Sequence, residues 1–185
     1  QQSNVMMEGF LRNGDHPGLN AGYSVGGADV NTSEGICNGP ALGPYNQINH
    51  IDIQNNIFNN FDYQAIYLEV AFNSNHSWNY VKNNKFNNMW EGVQTYALHT
   101  DISYNTFTGV DRAMSMHAVH AAADPGFLPQ IAYNTVSITW KTGYSRNIGI
   151  WVNYRDGSAP DLEVKNNTIN CSDASLIGKN FYGFY

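Results

Sequence analysis

The chain has 185 residues, of which 13% are charged, and nine Lys and Arg against fifteen Asp and Glu give a formal charge of -6. Its 42% hydrophobic content is enough to bury one domain-sized core, and its polarity comes from 26 asparagines rather than from charge. The absence of any basic run excludes a nucleic-acid-binding class, and no stretch reaches the ~18 apolar residues of a membrane-spanning helix.

Gln1, Gln2 and Ser3 carry no initiator Met, basic region or apolar leader, so the sequence reads as a processed chain or a fragment. Residues 1 to 47 form an irregular first part of what reads as a single domain over residues 1 to 185. Val5 to Asn13 reads as an early strand unit, and the glycine-rich stretch from Gly14 to Tyr45 as one long protruding loop. Asp29 and Glu34 in that loop are the candidate calcium ligands; no other cofactor is expected.

From residue 48 to 180 the sequence repeats. Ile51 to Phe58, Tyr80 to Phe86, Ile102 to Phe107, Ile131 to Val136 and Leu162 to Ile169 superpose as an apolar residue, a short alternation, Asn, one spacer and another apolar residue. The register marks are Asn56, Asn84, Asn105, Asn134 and Asn167, separated by 28, 21, 29 and 33 residues. Such drift excludes a rigid helical repeat and suits stacked coils with variable loops. A second strand follows each of the first four marks: Ala65 to Val70, Gly92 to Ala97, Ala113 to Ala118 and Gly149 to Tyr154. Period-two alternation points Ile66, Leu68, Val70, Val93, Thr95, Ala97, Met114, Met116, Ala118, Ile150 and Val152 inward and the intervening side chains to water.

An inward Asn at a bend can bond the backbone and the amide of the Asn one coil away, about 4.8 Å distant, and Asn also tolerates a left-handed bend. Both roles are expected of the marked residues. Cys37 lies before the first mark and Cys171 at the last, about four coils or ~20 Å apart. That exceeds the ~7 Å between Cα atoms that a disulfide allows, so no bridge is expected. The aromatic tail Phe181 to Tyr185 makes a poor exposed terminus, which suggests end-to-end self-association or further chain segments.

These Ile-x-x-Asn-x-Phe segments resemble the parallel β-helix repeats of the pectate-lyase-like superfamily over roughly residues 48 to 180. The resemblance implies an all-β, right-handed parallel β-helix solenoid of about five to six coils with variable loops. It implies no single reaction, because that fold hosts lyases, hydrolases, epimerases, phage tailspikes, adhesins and fibre proteins.

On this register the outward side chains of the second strands form two rows, Tyr67, Gln94, Ser115, Trp151 and Glu69, Tyr96, His117, Asn153, flanked by His99, Asp111, Arg112, His120, Arg155 and Asp156. Tyr67, Tyr96, Trp151, Asn153 and Arg155 are the candidate carbohydrate-binding residues, because aromatic faces stack on sugar rings and polar groups bond hydroxyls. Glu69 and Asp111 are the pair for a glycoside hydrolase, and His117 with Arg112 or Arg155 the base and cation for a uronate lyase. Against these roles, lone outward His or Glu residues on a sheet are usually solvated surface, and Tyr and Trp are common strand formers. Asp15-His16-Pro17 and Asp124-Pro125-Gly126 do not reproduce the epimerase tetrad. The scattered histidines form no metal pattern, and nothing supports a Ser-His-Asp or Cys-His arrangement. Sequons at Asn31, Asn75, Asn166 and Asn170 are glycosylation candidates and fit an extracellular or cell-surface chain. The expected function is a structural, adhesive or fibre-forming scaffold with a glycan-facing surface; the alternative is a polysaccharide lyase or glycoside hydrolase. A phage-type tail fibre would share the fold and differ by forming trimers.

Overall fold

A computed structural model describes residues 4–8, 11–13, 36–38, 50–61, 64–68, 78–96, 100–118, 129–140, 147–154 and 162–185. The protein is all-β with parallel sheets. The strands among these residues are β1 (Asn4–Glu8), β2 (Leu11–Asn13), β3 (Ile36–Asn38), β4 (His50–Gln54), β5 (Ile57–Asn59), β6 (Gln64–Leu68), β7 (Trp78–Lys82), β8 (Lys85–Thr95), β9 (Thr100–Ser103), β10 (Thr106–Ala118), β11 (Gln130–Ala132), β12 (Thr135–Ile138), β13 (Ile148–Tyr154), β14 (Glu163–Lys165), β15 (Thr168–Asn170) and β16 (Tyr182–Phe184). One sheet has the order β1-β4-β7-β9-β11-β14. The other runs β2-β5-β8-β10-β12-β15, with β3 and β6 added beside β8, and β13 and β16 beside β10. Every pairing is parallel, and the chain alternates between the two sheets as it advances.

The asparagine ladder explains why successive repeats stay in register. Asn56 Nδ2 donates to Asn84 Oδ1 at 3.1 Å, and the same bond links Asn84 to Asn105, Asn105 to Asn134 and Asn134 to Asn167. Each of these acceptors also takes the backbone N–H of the preceding ladder residue at 2.9–3.0 Å. The second amide proton reaches a carbonyl, as in Asn105 Nδ2 to Val81 O at 2.8 Å. The ladder does not supply the left-handed bends, as the sequence suggested it would. Positive φ falls on the residue before each mark, at Asn55, Asn83, Tyr104, Tyr133 and Asn166. Ladder and bend are separate jobs because the inward side chain needs a backbone already turned by its predecessor. Two of the five bends therefore accept Tyr, and Tyr104 and Tyr133 stack in the open at 4.9 Å.

Behind the ladder three apolar columns fill the interior: Ile53, Val81, Ile102, Ile131; Phe58, Phe86, Phe107, Val136; and Ile66, Val93, Met114, Ile150. Phe58, Phe86 and Phe107 stack at 5.0 and 4.6 Å with planes 5° apart, and each such side chain contributes roughly 1.5–3 kcal/mol of apolar burial. A second set of bends, at Asn60 (φ 59), Asn88 (φ 56) and Gly109 (φ 66), turns the chain again, and β8 and β10 run unbroken through it. Beyond this bend the chain passes close to the Phe column. A Cβ on Gly92 would lie 2.4 Å from Phe107 Cε1 and 2.6 Å from the Ala113 carbonyl, which is why Ala65, Gly92 and Ala113 are all small.

Of the predicted inward residues, Ile66, Leu68, Val93, Thr95, Met114, Met116 and Ile150 are buried, and Val152 packs half-buried against the core. Val70, Ala97 and the Ala118 side chain lie outside the described residues. One expectation changes. Ile36–Asn38, inside the stretch read as one long loop, is β3 and pairs with β6. In the aromatic tail β16 pairs with β13, and Tyr182, Phe184 and Tyr185 keep 42–59% of their surface exposed.

Candidate functional site

The outward row on the far side of the second bend is in the expected register: Tyr67 opposite Gln94, Gln94 opposite Ser115, Ser115 opposite Trp151. Its rings join those of the next row into one ribbon. Tyr67 meets Tyr96 edge-on at 5.9 Å, Tyr96 stacks on His117 at 4.7 Å, and His117 meets Trp151 edge-on at 4.8 Å. Trp151 continues to Tyr185 at 6.2 Å, and Tyr185 to Tyr182 at 5.3 Å. The ribbon is polar at its edges, where Gln94 Nε2 donates to the Tyr96 hydroxyl at 3.0 Å and Asn153 sits beside His117 in register.

Tyr67, Gln94, Tyr96, Trp151 and Asn153 are half-buried. The expectation that the whole column faces water fails at Ser115 (0% exposed) and His117 (4%). His117 is enclosed between the Tyr96 and Trp151 rings, and Ser115 donates its hydroxyl to Glu91.

Glu91 is the hub the sequence reading missed. Its carboxylate accepts from Gln64 Nε2 at 3.0 Å and from Ser115 Oγ, and Arg112 Nε lies 3.0 Å away without the alignment of a good hydrogen bond. The guanidinium of Arg112 sits between the Trp90 ring at 4.6 Å and the Trp151 ring at 4.9 Å, tying the buried pair to the ribbon. Removing one partner of such a pair leaves a buried charge and costs about 3–5 kcal/mol. One signal was available: Glu91 and Arg112 are 21 residues apart, the spacing of Asn84 and Asn105, so they occupy one column of adjacent repeats.

Asp111 is fully buried beside this pair. Burial pushes its carboxyl up to about 7, with the charge of Glu91 adding to the shift. The Asn147 backbone N–H, the Arg112 charge and the Trp90 indole N–H pull the other way. Among the described residues the carboxylate near Asp111 is Glu91. Glu69, its expected partner, lies outside the described residues, as do Arg155, His99, His120, Asp156, Asn31, Asn75, Asp29 and Glu34.

Asn166 and Asn170 are exposed, and Asn170 Oδ1 accepts from the Ser172 N–H at 3.0 Å. Cys171 is a free, exposed thiol. Among the described residues no group of three His, Cys, Asp or Glu is placed to hold a metal, and no helix is long and apolar enough to cross a membrane. No protein-family model, characterised protein or solved structure matches the chain.

Proposed function

We propose that the chain is a right-handed parallel β-helix acting as an extracellular or cell-surface scaffold, structural or adhesive, with the aromatic ribbon as its glycan-facing surface. The helical path is supported by parallel pairing throughout and by the alternation of successive strands between two sheets. The hand follows from the strong right-handed preference of parallel crossovers. The observation that carries the function is the ribbon itself: rings from successive repeats lie 4.7–6.2 Å apart with amides at their edges. Half-buried aromatic faces bind sugar rings by area and fix orientation through polar neighbours. Among the described residues β1 and β14 are the outer strands of one sheet, and such edges pair with further strands, so stacking between copies belongs to this reading. Retention on immobilised polysaccharides tests it. The wild type should be retarded by at least one glycan and Trp151→Ala should not; equal migration on every glycan of a neutral and acidic panel defeats the proposal.

Asp111 favours a second reading, a polysaccharide lyase or glycoside hydrolase. A carboxyl that titrates near neutrality beside a second, ion-paired carboxylate is the arrangement an acid–base pair needs. Release of unsaturated uronates or reducing ends from the same panel, abolished by Asp111→Asn, would establish it; no product from any polysaccharide would dismiss it.

A further inference from the structure

The large apolar side chains that stay exposed gather at one end of the protein. Among the described residues there are eight, and five of them, Val164, Ile177, Tyr182, Phe184 and Tyr185, lie in the final repeat with 37–82% of their surface open. The same repeat leaves its backbone paired on one side only: among the described residues β14 pairs with β11, β15 with β12 and β16 with β13. The asparagine ladder is open there too. At each earlier rung the backbone N–H and one side-chain amide proton converge on the Oδ1 of the next Asn, whereas at Asn167 neither has an acceptor among the described residues. Open strand edges, open ladder donors and open apolar area at one end all suit a further set of strands.

Two ways of adding a second copy differ in what they bring to this end. Head to tail, the added strands are β1 and β2. Register sets Arg12 of β2 opposite Phe58, so a cation would join the apolar column that Ile169 ends. The residue before Leu11 is Phe10, so the added repeat offers no Asn to the ladder. Tail to tail, about a two-fold axis across the end, β14 meets its own copy antiparallel. Centred on Val164, the run Glu163-Val164-Lys165 is its own complement: Glu163 of each copy stands opposite Lys165 of the other, with the two Val164 side chains between them.

We propose that the protein forms a closed two-fold dimer through its final repeat, with β14 of two copies paired antiparallel about Val164. A two-fold contact uses the same surface on both copies, so assembly stops at two chains. This rests on the scaffold reading only for its stacking between copies and is independent of the glycan surface.

Sedimentation equilibrium over a wide concentration range tests it. The expected mass is twice the 20.6 kDa of one chain, with no larger species as concentration rises. Val164→Lys puts a charge at the centre of the edge and should give single chains. Glu163→Lys or Lys165→Glu alone sets like charges opposite one another at two symmetric places and should weaken the dimer about tenfold. The double reversal, Glu163→Lys with Lys165→Glu, restores both pairs and should return the dissociation constant to within about threefold of the wild type. Circular dichroism matching the wild type establishes that each variant is folded. A single-chain mass for the wild type at every concentration, a series of ever larger species, or a double reversal no tighter than the single ones would each overturn the proposal. Retention of a single-chain wild type on a polysaccharide would sink the dimer alone, and a dimer retained by no polysaccharide would sink the glycan surface alone.

Discussion

Asn105→Ala should be among the most damaging single substitutions in the chain. Asn105 makes four side-chain hydrogen bonds: it accepts from the Asn84 backbone N–H (2.9 Å) and Nδ2 (3.1 Å), and it donates to Val81 O (2.8 Å) and Asn134 Oδ1 (3.0 Å). After truncation, Asn84 Nδ2 keeps its bond to Ile53 O, and Asn134 Oδ1 keeps the Asn105 backbone N–H. The Asn84 N–H loses its acceptor and the Val81 carbonyl loses a donor, both in a dry interior where water cannot replace them. Two orphaned buried groups and two weakened ones cost about 4 kcal/mol together, taking ~1–3 for each orphan and less than about 1 for each of the others. Against a typical domain stability of ~5–15 kcal/mol, that is a large share. Urea unfolding followed by far-ultraviolet circular dichroism should show the midpoint fall with an unchanged slope. Asn167→Ala is the internal comparison, because its bonds are only part-buried and water can replace them, so it should cost less than half as much. A loss under about 1 kcal/mol for Asn105→Ala, or a loss equal to that of Asn167→Ala, would mean the ladder is not what holds the repeats in register.

Gly92→Ala should destabilise by about 3 kcal/mol through overpacking, since its Cβ would overlap Phe107 and the Ala113 carbonyl. Phe107→Val, which copies Val136 at the matching position of the next repeat, should recover part of that loss, measured as a coupling in a double-mutant cycle. Asp111 binds a proton more tightly folded than unfolded, so its contribution to stability is greatest at acid pH, declines as pH rises from about 3.8 to about 7, and is flat above. The full decline is on the order of 4 kcal/mol, and thermal unfolding of Asp111→Asn across that range should lack this slope. Glu91→Gln, which leaves Arg112 buried without its counter-charge, should cost about 3–5 kcal/mol and be partly relieved by Arg112→Met.

Much of the architecture is legible in the residues because the ladder demands Asn at one place per repeat and the columns behind it demand Ile, Phe or Val two residues on. Period-two alternation then places Ile66, Val93, Met114 and Ile150 inward without reference to anything distant. The site was legible only in its outline. Tyr67, Gln94, Ser115 and Trp151 share a row because the repeat says so, yet alternation cannot tell an outward side chain in water from one covered by its neighbours. That is how His117 and Ser115 came to be expected on the surface. Glu91 escaped notice for a related reason: it precedes the inward Gly92 at a bend where period two is interrupted.

The sequence alone determined the repeat, its all-β character, the ladder and most of the inward columns, because each rests on contacts between equivalent positions of adjacent repeats and needs only a period to be seen. The tertiary structure alone decided that Glu91 pairs with Arg112, that the Arg112 guanidinium lies over two indole rings, that Asp111 is buried beside the pair, and that Tyr182 and Tyr185 extend the ribbon. Those features depend on burial and on which side chains close over one another. Both arise from the packing of non-equivalent positions around the second bend, for which the sequence carries no period.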